Sequence, residues 1–192
     1  MVDDAQAVLD NSRADLWVVQ KDTLGPYAEP SSLPEDSERP IQAMRGVAQA
    51  AGVTYLTMQI AQGDKDVRVM VVGTEMGEPG MPGQPTHLIA GRQIVRGHYE
   101  AVADIKSGFA IGDRVKVRRN FYTVVGLTSR MVSSGGDPML FLSLKDAQAA
   151  QFQKDSDAIV RQRARTEANP QLNPPGNPAV AAAVNAVQSG ST

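Results

Sequence analysis

Between Val53 and Leu142 the chain is cut into short runs rich in Val, Ile, Tyr, Thr and Met, none longer than an ordinary strand, with Gly, Asp, Asn and Pro between them. That punctuation is the strongest constraint on the fold. Runs of this kind satisfy their backbone polar groups only by pairing with one another, so the segment must build a sheet. Val53 to Ile60 and Val67 to Gly73 flank Gly63-Asp64-Lys65-Asp66 and read as a hairpin. Ala101-Val102-Ala103, Arg114 to Arg118 and Phe121 to Leu127, joined by Gly112-Asp113 and Arg119-Asn120, read as the strands of a small barrel-like or meander unit. Met139 to Leu142 reads as a short buried strand. Ser143-Leu144-Lys145-Asp146 after it is a capping-box pattern, which starts a helix at Leu144 that runs through Phe152 and resumes over Asp155 to Ala168.

The flanks are less regular. Asp15 to Gln20, DLWVVQ, reads as a buried strand, with a short helix over Ala5 to Leu9 before it and a proline-rich loop over Lys21 to Arg39 after it. Pro40 suits the first turn of a helix carrying Ile41, Met44, Val47, Ala48 and Ala51 on one face, with Gly52 as its stop. Such a helix is expected to pack on the sheet. Asn169 to Pro178 is a breaker-rich linker, and the apolar stretch Ala179 to Val187 is too short to span a bilayer. The fold class is therefore α+β: strand, helix and hairpin, then an inserted β unit, then a returning strand and helix.

Composition removes several functions. With no cysteine, disulfides, thiolate chemistry and cysteine-ligated zinc are excluded. Nineteen basic against 21 acidic residues give a net charge of −2, which offers no long-range attraction to nucleic acid or an anionic membrane. At 192 residues and 42% apolar content the chain can bury a core, and no run approaches the ~18 apolar residues of a membrane span.

Individual motifs carry little chemistry. His98-Tyr99-Glu100 superficially matches the start of a zinc-deaminase signature, but the cysteine ligands of that site are missing, and His87 lies eleven residues away, which is no helix-face or turn spacing. Lys116 to Tyr122 mixes basic and aromatic residues as a nucleic-acid-binding hairpin does. Alternation, however, turns Val115, Val117, Tyr122 and Val124 inward and leaves Lys116, Arg118 and Arg119 to water. The paired carboxylates Glu35-Asp36, Asp64/Asp66 and Asp155/Asp157 sit in turns. The stretch Ser133-Ser134-Gly135-Gly136-Asp137 lacks the lysine of a phosphate-binding loop and the order of a nucleophile elbow. It reads as a turn in which Gly135 and Gly136 supply positive φ and Pro138 forces an extended entry into the next strand. The rival reading from another class is a soluble hydrolase or ligand-binding enzyme using Ser133, Asp137 or His98, which requires a pocket lined by those groups.

Four blocks, DLWVVQKDTLGPYAEPSSLP, IAGRQIVRGHYEAV, IGDRVKVRRNFYTVVGL and SSGGDPMLFLSLKDAQ, taken together and in this order, resemble the extracytoplasmic domain of ABC-transporter permeases of the MacB, FtsX and LolC/LolE type, most closely the DevC-like branch. The resemblance covers most of Ala14 to Ala168. It implies a porter-like α/β subdomain over residues 1–90 and 128–168, an inserted small β-rich, sabre-like subdomain over 91–127, and a linker and truncated C-terminal segment over 169–192. It implies no catalytic residue, cofactor or metal. The implied partners are a second permease copy in a homodimer, a separate cytoplasmic ATPase subunit and a membrane-fusion adaptor of the HlyD type. Membrane helices would flank the domain, which would stand at the periplasmic face of a bacterial inner membrane and transmit their motion. The expected partner-contact loop is Ser133, Ser134, Gly135, Gly136 and Asp137, with Lys21 to Glu38 and Glu75 to Pro85 as further contact loops.

Overall fold

The computed structural model describes residues 14–23, 31–75 and 81–153. The chain divides into two compact units, Met1–Gln151 and Phe152–Thr192, and almost everything described belongs to the first. After a 3-10 turn at Glu35–Ser37 and a five-residue helix α1 (Glu38–Gln42), the strands follow as β1 (Val53–Gln62), β2 (Lys65–Thr74), β3 (Leu88–Gly91), β4 (Glu100–Asp104), β5 (Arg114–Val117), β6 (Asn120–Thr128) and β7 (Met139–Ser143). A helix α2 opens directly behind β7 and occupies residues 144–153. The α+β class holds. All seven strands share one sheet in the order β1-β2-β7-β4-β6-β3, with β5 also paired to β6.

The hairpin β1–β2 forms as expected. Gln62 pairs with Lys65 across the two-residue loop Gly63-Asp64, and Gly63 takes the positive φ that such a loop demands. The meander expected for 101–127 does not form. β6 lies between β4 and β5, parallel to β4 and antiparallel to β5. Nine residues long, β6 pairs along both edges, whereas four-residue β5 takes only the outer position. Segment 91–127 meets β7 through β4, in a register two pairs long, Val102↔Phe141 and Ala103↔Leu140, and meets β3 through β6.

Strand patterning separates the middle of the sheet from its rim. β7 and β4 are buried at every position, and β2 is buried over most of its second half. One face carries Val69, Val71, Ala101, Ala103, Leu140 and Leu142 under Ala147 and Ala150 of α2; the other carries Val72, Val102, Met139 and Phe141 beneath Leu88 and Ile94. Covered on both faces, these strands read as continuous apolar runs, as inner strands with parallel neighbours do. β5 and the first half of β6 alternate instead, with Val115, Val117, Tyr122 and Val124 inward. Gly73 lets α2 sit close to β2, since a Cβ there would collide with that of Ala147.

Two expectations near the N-terminus are overturned. DLWVVQ is not a buried strand: residues 15–20 pair with no described strand, and Leu16 and Val18 are 84% and 53% exposed. The helix expected over Pro40 to Ala51 ends at Gln42, after which the chain turns through Gly46 at φ +94, leaving Met44 exposed. Apolar spacing alone did not carry that helix: none of the residues that do form it is buried, so packing lends it no support. The segments 5–9, 155–168 and 169–187 lie outside the described residues.

Candidate functional site

The expected contact loop is a tight turn. The Gly136 N–H donates to the Ser133 carbonyl at 2.9 Å and the Ser133 N–H to the Asp137 carbonyl at 2.8 Å, which closes a three-residue loop over residues 134–136 between the bridged Val132 and Pro138. Of the two glycines only Gly136 takes a positive φ, +84, so the expectation that both do is corrected: the turn needs one left-handed residue, its last. Ser134, Gly135 and Gly136 are exposed, but Ser133 is buried, and its hydroxyl accepts the Asp137 N–H at 3.1 Å. The Asp137 carboxylate lies 3.2 Å from Arg68 Nε of β2. The Ser133 hydroxyl thus serves the turn, and the Asp137 carboxylate ties it to β2.

His98 is brought to a different place. Its Nδ1 lies 2.7 Å from Oδ1 of Asp146, while Oδ2 of the same carboxylate accepts the Tyr99 N–H at 3.1 Å. Asp146 is the third helical residue of α2, and its own N–H donates to the hydroxyl of Ser143 at 3.2 Å, as the capping pattern requires. The reciprocal half of the capping box is absent: the acid reaches across to residues 98–99 instead of back to its own N-cap.

Glu100 anchors the other end of the same loop. Arg92 donates from Nη1 to Oε2 at 3.0 Å and from Nη2 to Oε1 at 2.6 Å, and Oε2 also accepts the N–H groups of Val95 and Arg96 at 3.0 and 3.1 Å. The Arg92 hydrogen bonds, reinforced by those two backbone donors against the cost of burial, hold the Glu100 carboxyl down at about 2. At the far end of β4 the fully buried Asp104 accepts the N–H of Lys106 at 2.8 Å and of Met131 at 2.7 Å, tying the strand exit to the segment before β7.

Residues 92–99 therefore form a loop without regular structure that is fixed by two buried carboxylates from different elements, Glu100 of β4 and Asp146 of α2. It displays Val95, Arg96, His98 and Tyr99 to solvent, with Tyr99 at φ +65 and its ring 6.1 Å from that of Tyr122. A loop held this way is preorganised, its exposed side chains presented from a fixed backbone. Sequence reasoning missed it: Glu100 drew notice only as the tail of His98-Tyr99-Glu100. The available signal was an acid at each end of the apolar run Glu100-Ala101-Val102-Ala103-Asp104.

Among the described residues, Ser133 and Asp137 lie in one turn and His98 in loop 92–99. The concavity lined by Thr74, Gln84, Pro85, Gln93, Ile94 and Phe141 is too shallow to admit a water-sized molecule and contains none of Ser133, Asp137 or His98. Among the described residues no group of three or more His, Cys, Asp and Glu side chains is placed to share a metal. The pairs Glu35-Asp36 and Asp64/Asp66 are exposed, although Asp66 lies on β2 opposite Ala61 and not in the turn expected for it, and Asp155/Asp157 lie outside the described residues. Of the Glu75 to Pro85 segment, Gly83, Gln84 and Pro85 are buried, with Gln84 Nε2 donating to the Glu75 carbonyl at 2.7 Å. No described helix is long and apolar enough to cross a membrane.

What the fold and this site define is a sheet-based module that holds shape and presents fixed loops. Its sequence places it more narrowly. The family model of the MacB-like periplasmic core domain matches residues 1–187, and the chain belongs to that family. Among solved structures it is similar to the extracellular domain of the noncanonical ABC-type transporter YknZ from Gram-positive bacteria (11% identity, TM-score 0.46, 61% of this chain and 65% of that one). It is also similar to the periplasmic region of MacB from Actinobacillus actinomycetemcomitans (13%, 0.45, 59% and 56%). A domain of a putative permease from Porphyromonas gingivalis gives 21%, 0.42, 57% and 52%. The chain thus spans less than two thirds of each of these solved domains. No curated protein sequence matches it.

Proposed function

We propose that this domain is a mechanical and interaction element of an ABC exporter permease, without catalysis of its own, carrying the motion of flanking membrane helices to a substrate or adaptor at the periplasmic face of the inner membrane. The observation that carries the reading is the family match over residues 1–187. The architecture supports it: a central sheet buried on both faces resists deformation, and loop 92–99 is fixed to the sheet through Glu100 and to the packed helix α2 through Asp146, so displacement of this core moves the loop as a body. In this reading the permease works as a homodimer with a separate cytoplasmic ATPase and an HlyD-type adaptor, within the DevC-like branch of the family. Segment 91–127 acts as an inserted unit that meets the porter-like part through β4 on β7 and β6 on β3.

The test uses the full permease with its ATPase. Glu100→Ala, which frees loop 92–99, is expected to leave ATP hydrolysis running while export falls. If hydrolysis and export fall together, or neither changes, transmission through this loop is wrong. Adaptor capture by Gly135→Pro with Asp137→Ala decides the turn at 133–137, since unchanged capture removes that turn from the interface.

A further inference from the structure

The β5–β6 hairpin carries a feature that the transport reading does not use. Val117 pairs with Asn120 across a two-residue loop made of Arg118 and Arg119, and Lys116 pairs with Phe121. Because Val115, Val117, Tyr122 and Val124 are turned into the core, the outward face is left to Arg114, Lys116, Phe121 and Thr123. The Arg114 guanidinium carbon stands 4.8 Å from the centroid of the Phe121 ring, and Lys116 Nζ stands 5.8 Å from it. Two cations thus converge on one half-exposed aromatic ring.

Their charge is unanswered. Among the described residues, no salt bridge involves Arg114, Lys116 or Arg118. The nearest acid in sequence, Asp113, spends its carboxylate on the Ala110 N–H at 2.8 Å. At the tip Arg118 sits at φ +56, a conformation that glycine or asparagine adopts without strain. A chain with net charge −2 therefore concentrates like charges on one hairpin, where they repel each other, and holds an arginine in a strained turn to do so.

We propose that the outward face of this hairpin, built from Arg114, Lys116 and Phe121 with Arg118 at its tip, docks an acidic segment of a partner protein. Charge complementarity selects the occupant's sign. The capped ring selects its class. With the Arg114 and Lys116 cations standing close to the Phe121 ring, its exposed surface is ringed by charge, which suits it less to stacking on bases or to entering a bilayer as an apolar wedge than to meeting carboxylates. What remains on offer is fixed cationic donors at strand spacing, which suits Asp and Glu side chains on an extended chain. The inference holds for any acidic partner and does not depend on the transport reading.

The 192-residue chain is titrated against a labelled peptide of alternating Glu and Ser, a control peptide with Gln for Glu, phosphatidylglycerol vesicles and single-stranded DNA, at low and moderate salt. Binding of the acidic peptide that weakens with salt, is lost with the Gln peptide and falls about tenfold in Arg114→Gln with Lys116→Gln is expected. Lys65→Gln, at the β1–β2 turn, is expected to leave it unchanged. Amide chemical-shift mapping on the wild type, which needs no variant to fold, should place the peptide on residues 114–123. The proposal is overturned by absence of peptide binding, by perturbations confined elsewhere, by undiminished binding in the double variant, or by tighter binding of vesicles or DNA.

Discussion

Replacing Glu100 by Gln removes one charge and keeps the shape of the side chain, so it isolates what the buried carboxylate does. In the folded protein that carboxyl is held at about 2 by Arg92 and by the Val95 and Arg96 N–H groups. Displacement from its ordinary value to there corresponds to roughly 3 kcal/mol of preference for the charged, folded form. Arg92 is half exposed, at 50%, so water screens part of the attraction, and the expected loss on substitution is about 2 kcal/mol at neutral pH. The direction with pH follows from the lowered value. The stabilisation is complete above the unfolded carboxyl's titration, near pH ~4.5, and drains away as pH falls toward 2. Urea unfolding followed by circular dichroism should therefore show the variant's midpoint about 1 M lower at pH 7. The gap between variant and wild type should narrow steadily below pH ~4.5. An unchanged midpoint at pH 7, or a gap that widens on acidification, would refute the account of Glu100 as the organiser of loop 92–99.

Asp146→Ala should cost about 1–2 kcal/mol, since it strips the Tyr99 N–H and His98 of their acceptor. Faster hydrogen exchange at the Tyr99 amide is the readout, and unaltered protection there would show that the loop holds without α2. Gly73→Ala forces β2 away from Ala147 and should destabilise by about 1–3 kcal/mol, measured as a drop in Tm. Gly136→Ala meets no neighbour within 4 Å but must keep φ +84, so a smaller loss of about 1 kcal/mol is expected in the same assay. The Tyr122 phenol is pushed up to about 12 by burial and then by the Asp146 charge. The difference between ultraviolet pH titrations of the wild type and Tyr122→Phe should therefore show one phenol ionising far above the ordinary tyrosine range, and a difference centred in the ordinary range would overturn this.

Loop 92–99 was illegible in the sequence because its anchors are distant from one another along the chain. Arg92 and Glu100 are close enough to be guessed as a pair, but nothing in Ser143-Leu144-Lys145-Asp146 says that the acid will leave its helix cap for residues 98–99. The opposite held for residues 133–137, where every bond that shapes the turn is made within it or to the adjoining strand. There the residues predicted the conformation, apart from which glycine bears the positive φ.

Local patterns were sufficient wherever local physics decides. The β1–β2 hairpin, the alternation of β5 and β6, the apolar run of β7 and the Ser143 cap all depend on neighbours a few residues away. Membership of the MacB-like family was equally legible, carried by four blocks in order. Tertiary structure decided the rest. That β6 rather than β5 lies against β4, that the helix after Pro40 stops at Gln42, and that three acids, Glu100, Asp104 and Asp146, are buried are choices between conformations of similar local energy. Such choices are settled by which surface arrives to cover the segment, and by which buried donors a carboxylate finds when it does.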